Sequence, residues 1–306
     1  MKKVMKWILI VIVVIILIVV ALLFYLGSRP AVPNDYQSRV KTGNFIEEKY
    51  LNTGSYEVAY KEIGAMDSFK KYEIFYPKEL ETSNGKYPVV LFSNGTGIKG
   101  SSYQAIQKHL ASYGFITIAN EEEYAWDAFD TEMSLRMLIK MNELTQISNW
   151  ESNPFINKID LDNIGVTGHS QGGVGAINAI TYIEHKDMIK AAYIISPTNM
   201  TLASSLEWNY DASKIDIPVM VMCGIKDGDA KFVCPLEGLK EIYNTIPNHN
   251  FKMAFRRNDA DHGDMLYFTD GYMTAFFMSE LKNDLELDVI VKDIEANPLY
   301  QDIMIK

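Results

Sequence analysis

The chain has 306 residues, of which 48% are hydrophobic and 22% charged, and it carries a formal net charge of −10 at pH 7. Its lysines and arginines are scattered rather than gathered into blocks, which argues against nucleic acid as a partner. There is no internal repeat, and the two cysteines, Cys223 and Cys234, have no metal-binding spacing.

The first element is Trp7 to Leu26, twenty residues without a charge. At a helical rise of about 1.5 Å per residue this run covers roughly 30 Å, the thickness of a bilayer core. Its length and the poor cleavage site at Gly27-Ser28-Arg29-Pro30 predict one uncleaved N-terminal transmembrane helix rather than a removed signal peptide. Lys2, Lys3 and Lys6 precede it and place the N-terminus in the cytoplasm. The expected localisation is a single-pass membrane protein with an extracytoplasmic catalytic domain; the alternative is secretion. Residues 1–27 are therefore read as a membrane anchor, 28–50 as a polar stalk with no clear period, and 51–306 as one domain. Outside the cytoplasm the cysteines either close a small disulfide loop or stay buried as thiols.

Beyond the stalk the chain alternates between β-rich and helical stretches. Tyr56 to Tyr60 and Lys71 to Tyr76 are short strands. Pro88 to Ser93 is continuously apolar, as expected of a strand buried on both faces. Ser101 to Tyr113 has helical spacing and ends at Gly114, a helix-terminating position. Phe115 to Ala119 is a strand and Asp130 to Gln146 a helix. Asn163 to Thr167 and Gly173 to Glu184 repeat the pattern. Lys190 to Ile195, Pro218 to Cys223 and Phe251 to Phe255 are further strands, with helices near Leu236 to Tyr243 and Tyr272 to Leu281. Such alternation predicts an α/β fold with a mostly parallel central sheet flanked by helices, and a site at the carboxyl ends of the strands.

The chemistry-bearing residues fall at those ends. Gly168-His169-Ser170-Gln171-Gly172 lies between a strand and a helix, where a sharp turn would lift the Ser170 hydroxyl clear of the backbone. Glycines at 168 and 172 remove side chains that would clash there. A serine needs an imidazole to take its proton. His109 and His185 lie on or beside helices, His169 is inside the turn, and His249 precedes the last strand. His262 follows that strand in Asn258 to Gly263, in reach of Ser170, and is the expected base. The acid should follow Pro218 to Cys223, where Asp227 is the first choice and Asp229 the alternative. The backbone N–H of Gln171 and that of Thr96, in Asn94-Gly95-Thr96-Gly97, are the expected oxyanion donors. Glu121 to Trp126 follows a strand; it reads as a solvated loop, or else as an acidic rim with Trp126 as an apolar wall.

Ile159 to Gly173, Leu110 to Thr117, Pro88 to Gly97 and Ile217 to Asp264 together resemble the polyester-hydrolase, cutinase-like and chlorophyllase-like branch of the α/β-hydrolases. Asn94 stands where a histidine or proline is usual, and Ser196-Pro197-Thr198-Asn199 lacks the tryptophan that often follows the proline at 197. The resemblance implies an α/β-hydrolase fold and carboxylic-ester hydrolysis without metal or organic cofactor, on a small-molecule or lipid-like ester. The same three side chains would serve a thioesterase, a peptidase or an acyltransferase, and an inert hydrolase-shaped binding protein is the reading of another class.

Overall fold

The computed structural model describes residues 30–306, apart from 67–68 and 148–149. The proposed anchor, residues 7–26, lies outside the described residues; among those described, no helix is long and apolar enough to cross a membrane.

A nine-stranded sheet forms the centre, in the order β1-β2-β4-β3-β5-β6-β7-β8-β9. These strands are β1 (Val58–Gly64), β2 (Lys71–Pro77), β3 (Tyr87–Ser93), β4 (Ile116–Asn120), β5 (Ile159–His169), β6 (Ile189–Ile195), β7 (Val219–Gly224), β8 (Lys252–Arg257) and β9 (Tyr300–Ile305). Strands β3 to β8 are parallel, while β1, β2 and β9 run antiparallel to their neighbours. Every residue of β3 and β4 is buried, which explains their unbroken apolar runs: helices cover both faces. The expected α/β sheet is therefore present. β9 and the helix Leu287–Ala296 before it add an antiparallel edge that the sequence pattern did not announce.

Register decides what meets at the carboxyl edge. Ser93 of β3 pairs with Gly168 of β5, so the loop after β3 and the turn after β5 leave the sheet side by side. Gly224 of β7 pairs with Arg257 of β8, which brings the aspartate-bearing and histidine-bearing loops together in the same way.

The expected stalk needs correction. The compact body begins at Val32, not near residue 51. Val32, Tyr36, Ile46, Tyr50 and Leu51 are all buried, and the helix Phe45–Leu51 packs on the helix Asp270–Lys282. Two polar knots hold this segment. The Tyr36 hydroxyl donates to Asp270 at 2.5 Å, and the same carboxylate lies 2.7 Å from Nδ1 of buried His109. Arg257, fully buried, donates to Glu47 at 2.6 Å, the Lys41 carbonyl at 2.6 Å and Asp259 at 2.7 Å. A charge buried that deeply persists only where its donors are matched, and here the segment supplies the match. An aperiodic run escaped notice because it is neither helix nor strand over most of its length.

Candidate active site

Ser170 stands between β5 and the helix Gln171–Thr181 with φ 60° and ψ −121°, a strained conformation for a residue with a side chain. The glycines around it are there for space. A Cβ on Gly168 would come within 2.0 Å of the Gly172 carbonyl oxygen, and one on Gly172 within 2.1 Å of the Ser93 oxygen. The turn is thus pressed against β3 by backbone contacts that only glycine allows.

His262 is brought to the same edge by the loop after β8. Asp261 shapes that loop, its carboxylate accepting from the N–H groups of Gly263 and Asp264 at 2.9 and 3.0 Å. Nδ1 of His262 donates to Asp229 Oδ1 at 2.7 Å. The other oxygen of Asp229 accepts from Ser196 Oγ at 2.5 Å and the Gly224 N–H at 2.7 Å. The carboxylate is completely buried, with donors on both oxygens, as a buried charge requires.

Asp227, the first choice of acid, is not the carboxylate on His262. The Asp227 side chain is 79% exposed and faces Lys231 at 3.6 Å, away from His262. The chain turns tightly after β7, with Asp227 at φ 30°, and continues into a wide helical turn over Asp229–Val233. That turn swings Asp227 out and Asp229 back under the imidazole. The alternative named from sequence occupies the position.

The loop after β3 is braced from below. Asn94 donates to the carbonyls of Asn120 and Glu122 at 2.8 and 2.7 Å, and the Gly95 N–H donates to the Tyr103 hydroxyl at 2.9 Å. Asn94 thus ties the loop to the end of β4. Thr96 is exposed between Gly95 and Gly97, the latter at φ 68°. Among the described residues, neither the Thr96 nor the Gln171 N–H is engaged by another backbone group. The Gln171 side chain accepts from the Ala125 N–H at 3.0 Å, fixing the start of its helix to the loop after β4.

The glutamates of that loop do structural work. Glu121 is buried and accepts from the Ser101 N–H and hydroxyl at 2.9 and 3.1 Å, and Glu123 pairs with Lys99 at 3.4 Å. They hold the segment after the Thr96 loop, so neither a plain solvated loop nor an acidic rim describes them. Trp126 lines a cavity of about 900 Å³ with Phe129, Asn178, Tyr182 and Tyr210. Asn178 and Tyr182 lie toward the far end of the helix that starts beside Ser170, roughly 12 and 18 Å along it from Ser170 at helical rise.

Cys223 and Cys234 are both free and buried, the Cys223 thiol facing the Cys234 carbonyl at 3.2 Å. Glu132, Glu184 and His185 are the one trio among the described residues with ligand atoms close enough to share an ion. Arg136 already holds both carboxylates, at 2.7 and 2.5 Å.

Sequence comparison agrees with this architecture. The chain is 27% identical to cutinase est1 of Thermobifida alba over 64% of its own length and 59% of the relative's. It is 26% identical to bis(hydroxyethyl) terephthalate hydrolase of Streptomyces coelicolor, covering 68% of this chain and 61% of that one. With chlorophyllase-1 of Citrus unshiu the identity is 24% over 60% and 56%. The chain thus spans about three fifths of the length of these relatives. The family model described as PET hydrolase-like (PETase) matches residues 41–293, and the chain belongs to that α/β-hydrolase family.

Proposed function

We propose that this chain is a serine hydrolase that cleaves carboxylic esters through an acyl-enzyme. The observation that carries the reading is the buried Asp229 carboxylate on His262, at the same sheet edge as the strained Ser170 turn. In the first half-reaction the Ser170 hydroxyl oxygen attacks the ester carbonyl while His262 Nε2 takes its proton. The imidazolium so formed keeps its Nδ1–H on Asp229, which stabilises the charge without taking the proton. The N–H groups of Gln171 and Thr96 receive the developing oxyanion. His262 then returns the proton to the leaving alcohol, and the same steps with water release the acid. No step requires a metal or an organic cofactor.

The names of the relatives suggest esters of hydrophobic acids or alcohols as the substrate class. We further infer that Trp7 to Leu26 anchors the enzyme to a membrane, on the strength of its length and lack of charge.

The test is labelling with a fluorophosphonate, which reacts with activated serines, followed by a panel of p-nitrophenyl esters of increasing acyl length. Wild-type protein should be labelled at Ser170 and hydrolyse the shorter esters. Ser170→Ala should lose both the label and several orders of magnitude in turnover. Persisting label, or more than a tenth of wild-type turnover, would remove Ser170 from the mechanism.

A further inference from the structure

His169 sits within the serine turn, the last residue of β5, and the triad chemistry gives it no task. Its side chain nevertheless makes specific contacts. Nε2 lies 2.7 Å from the His262 carbonyl oxygen, and the two imidazole rings stack with centroids 4.4 Å apart and planes tilted by 33°. A carbonyl oxygen only accepts, so Nε2 of His169 carries a proton and Nδ1 is bare. The Nδ1 side faces Gly95: a Cβ built there would stand 3.8 Å from Nδ1 and 3.2 Å from the His169 carbonyl oxygen. His169 therefore touches the histidine loop on one side and lies beside Gly95 of the Thr96 loop on the other.

We infer that His169 is a positioning residue for His262, holding its backbone through the carbonyl and its ring through the stack, so that Nε2 is presented to Ser170. This rests on the reading of Ser170, His262 and Asp229 given above. Asp229 fixes the His262 ring at one atom only, Nδ1, which leaves the ring free to swing about that contact. The stacked face of His169 removes that freedom. Burial and the adjacent His262 push His169 well below the usual imidazole range, so it stays neutral. Of the two rings only His262 is then available for the Ser170 proton. The ring beside it, His169, then carries no positive charge.

Three substitutions separate the parts. His169→Ala removes both contacts, His169→Gln keeps an N–H donor without a ring, and His169→Phe keeps a ring without a donor. Kinetics on p-nitrophenyl acetate and the rate of fluorophosphonate labelling are read for each, with circular dichroism to establish folding. A displacement of about 1 Å can cost about 10²-fold in rate. His169→Ala should therefore lose on the order of 10²-fold in kcat and in labelling rate, with KM nearly unchanged. Gln and Phe should each recover part of the loss. Wild-type kcat in the folded Ala variant, or a loss confined to KM, would overturn the proposal; the latter would make His169 a substrate contact. If the Ala variant does not fold, Gln and Phe decide: wild-type kcat in both overturns the proposal, and a kcat deficit in both supports it. Failure of the underlying reading would look different, since Ser170→Ala would then keep its label and activity whatever residue 169 is.

Discussion

Replacing Asp229 by asparagine should disable the enzyme while leaving its shape, and the reason lies in which atoms surround the carboxylate. Oδ2 accepts from the Gly224 N–H, a donor that cannot reverse its role, as well as from Ser196 Oγ. In Asp229→Asn the amide oxygen must therefore stay at that position, and the NH₂ group is turned toward His262. An NH₂ there cannot accept from Nδ1–H, so the ring shifts its proton to Nε2 and Nδ1 becomes the acceptor. The nitrogen facing Ser170 is then a donor and can no longer take the hydroxyl proton. A wrong tautomer of this kind costs up to about 10⁴-fold in kcat, which at about 1.36 kcal/mol per decade is about 5.4 kcal/mol of barrier. Asp227→Asn should change kcat less than about tenfold, because its exposed carboxylate is screened by solvent. The assay is steady-state hydrolysis of a p-nitrophenyl ester by both variants, with thermal melts to establish folding. A folded Asp229→Asn keeping a tenth of wild-type kcat, or a larger loss in Asp227→Asn, would refute the reasoning.

Gly172→Ala would push a methyl group into the Ser93 carbonyl. It should destabilise by about 1–3 kcal/mol or more, and a melting temperature within about 2 °C of wild type would contradict the close approach. Burial opposes charge on His109, yet Asp270 raises its pKa above the ordinary imidazole value of 6.5. Since the folded value exceeds the unfolded one, this pair stabilises fully below about pH 6.5 and progressively less as pH rises through the folded value. The melting-temperature gap between wild type and His109→Gln should accordingly be wider at pH 6 than at pH 9, and a constant gap would rule the linkage out. The anchor reading predicts full-length protein in the membrane fraction after a high-salt wash; a soluble product beginning near residue 29 would mark the segment as a cleaved signal.

The parts of the fold that were legible in the sequence were those whose physics leaves a period or a forced residue. Strands β3 and β4, buried on both faces, read as unbroken apolar runs, and the turn at Ser170 announced itself because Gly168 and Gly172 have no room for a side chain. His262 stood out because the loop after β8 leaves the carboxyl end of the sheet, whereas His109 and His185 lie on or beside helices and His249 precedes β8. Which aspartate faces His262 was not legible. Asp227 and Asp229 follow the same strand two residues apart, and which one turns inward depends on a backbone turn with no residue signature beyond Gly228. The packed segment from Val32 to Leu51 was hidden because its helical face, Ile46, Glu47, Tyr50 and Leu51, spans only about two turns and includes a charged residue, while the chain before it is largely irregular. His169 carried no signal because its partner, a carbonyl oxygen, is common to every residue.

The Arg257 knot makes the N-terminal segment part of the fold. Glu47 and the Lys41 carbonyl grip one end of the guanidinium, and Asp259, three residues before His262, takes the Nε–H. The guanidinium thus joins the N-terminal segment directly to the root of the loop that carries His262. Cutting the chain at residue 51 would take away Glu47 and the Lys41 carbonyl and leave Asp259 as the remaining carboxylate on the Arg257 guanidinium, so several of its buried donors would lose their acceptors.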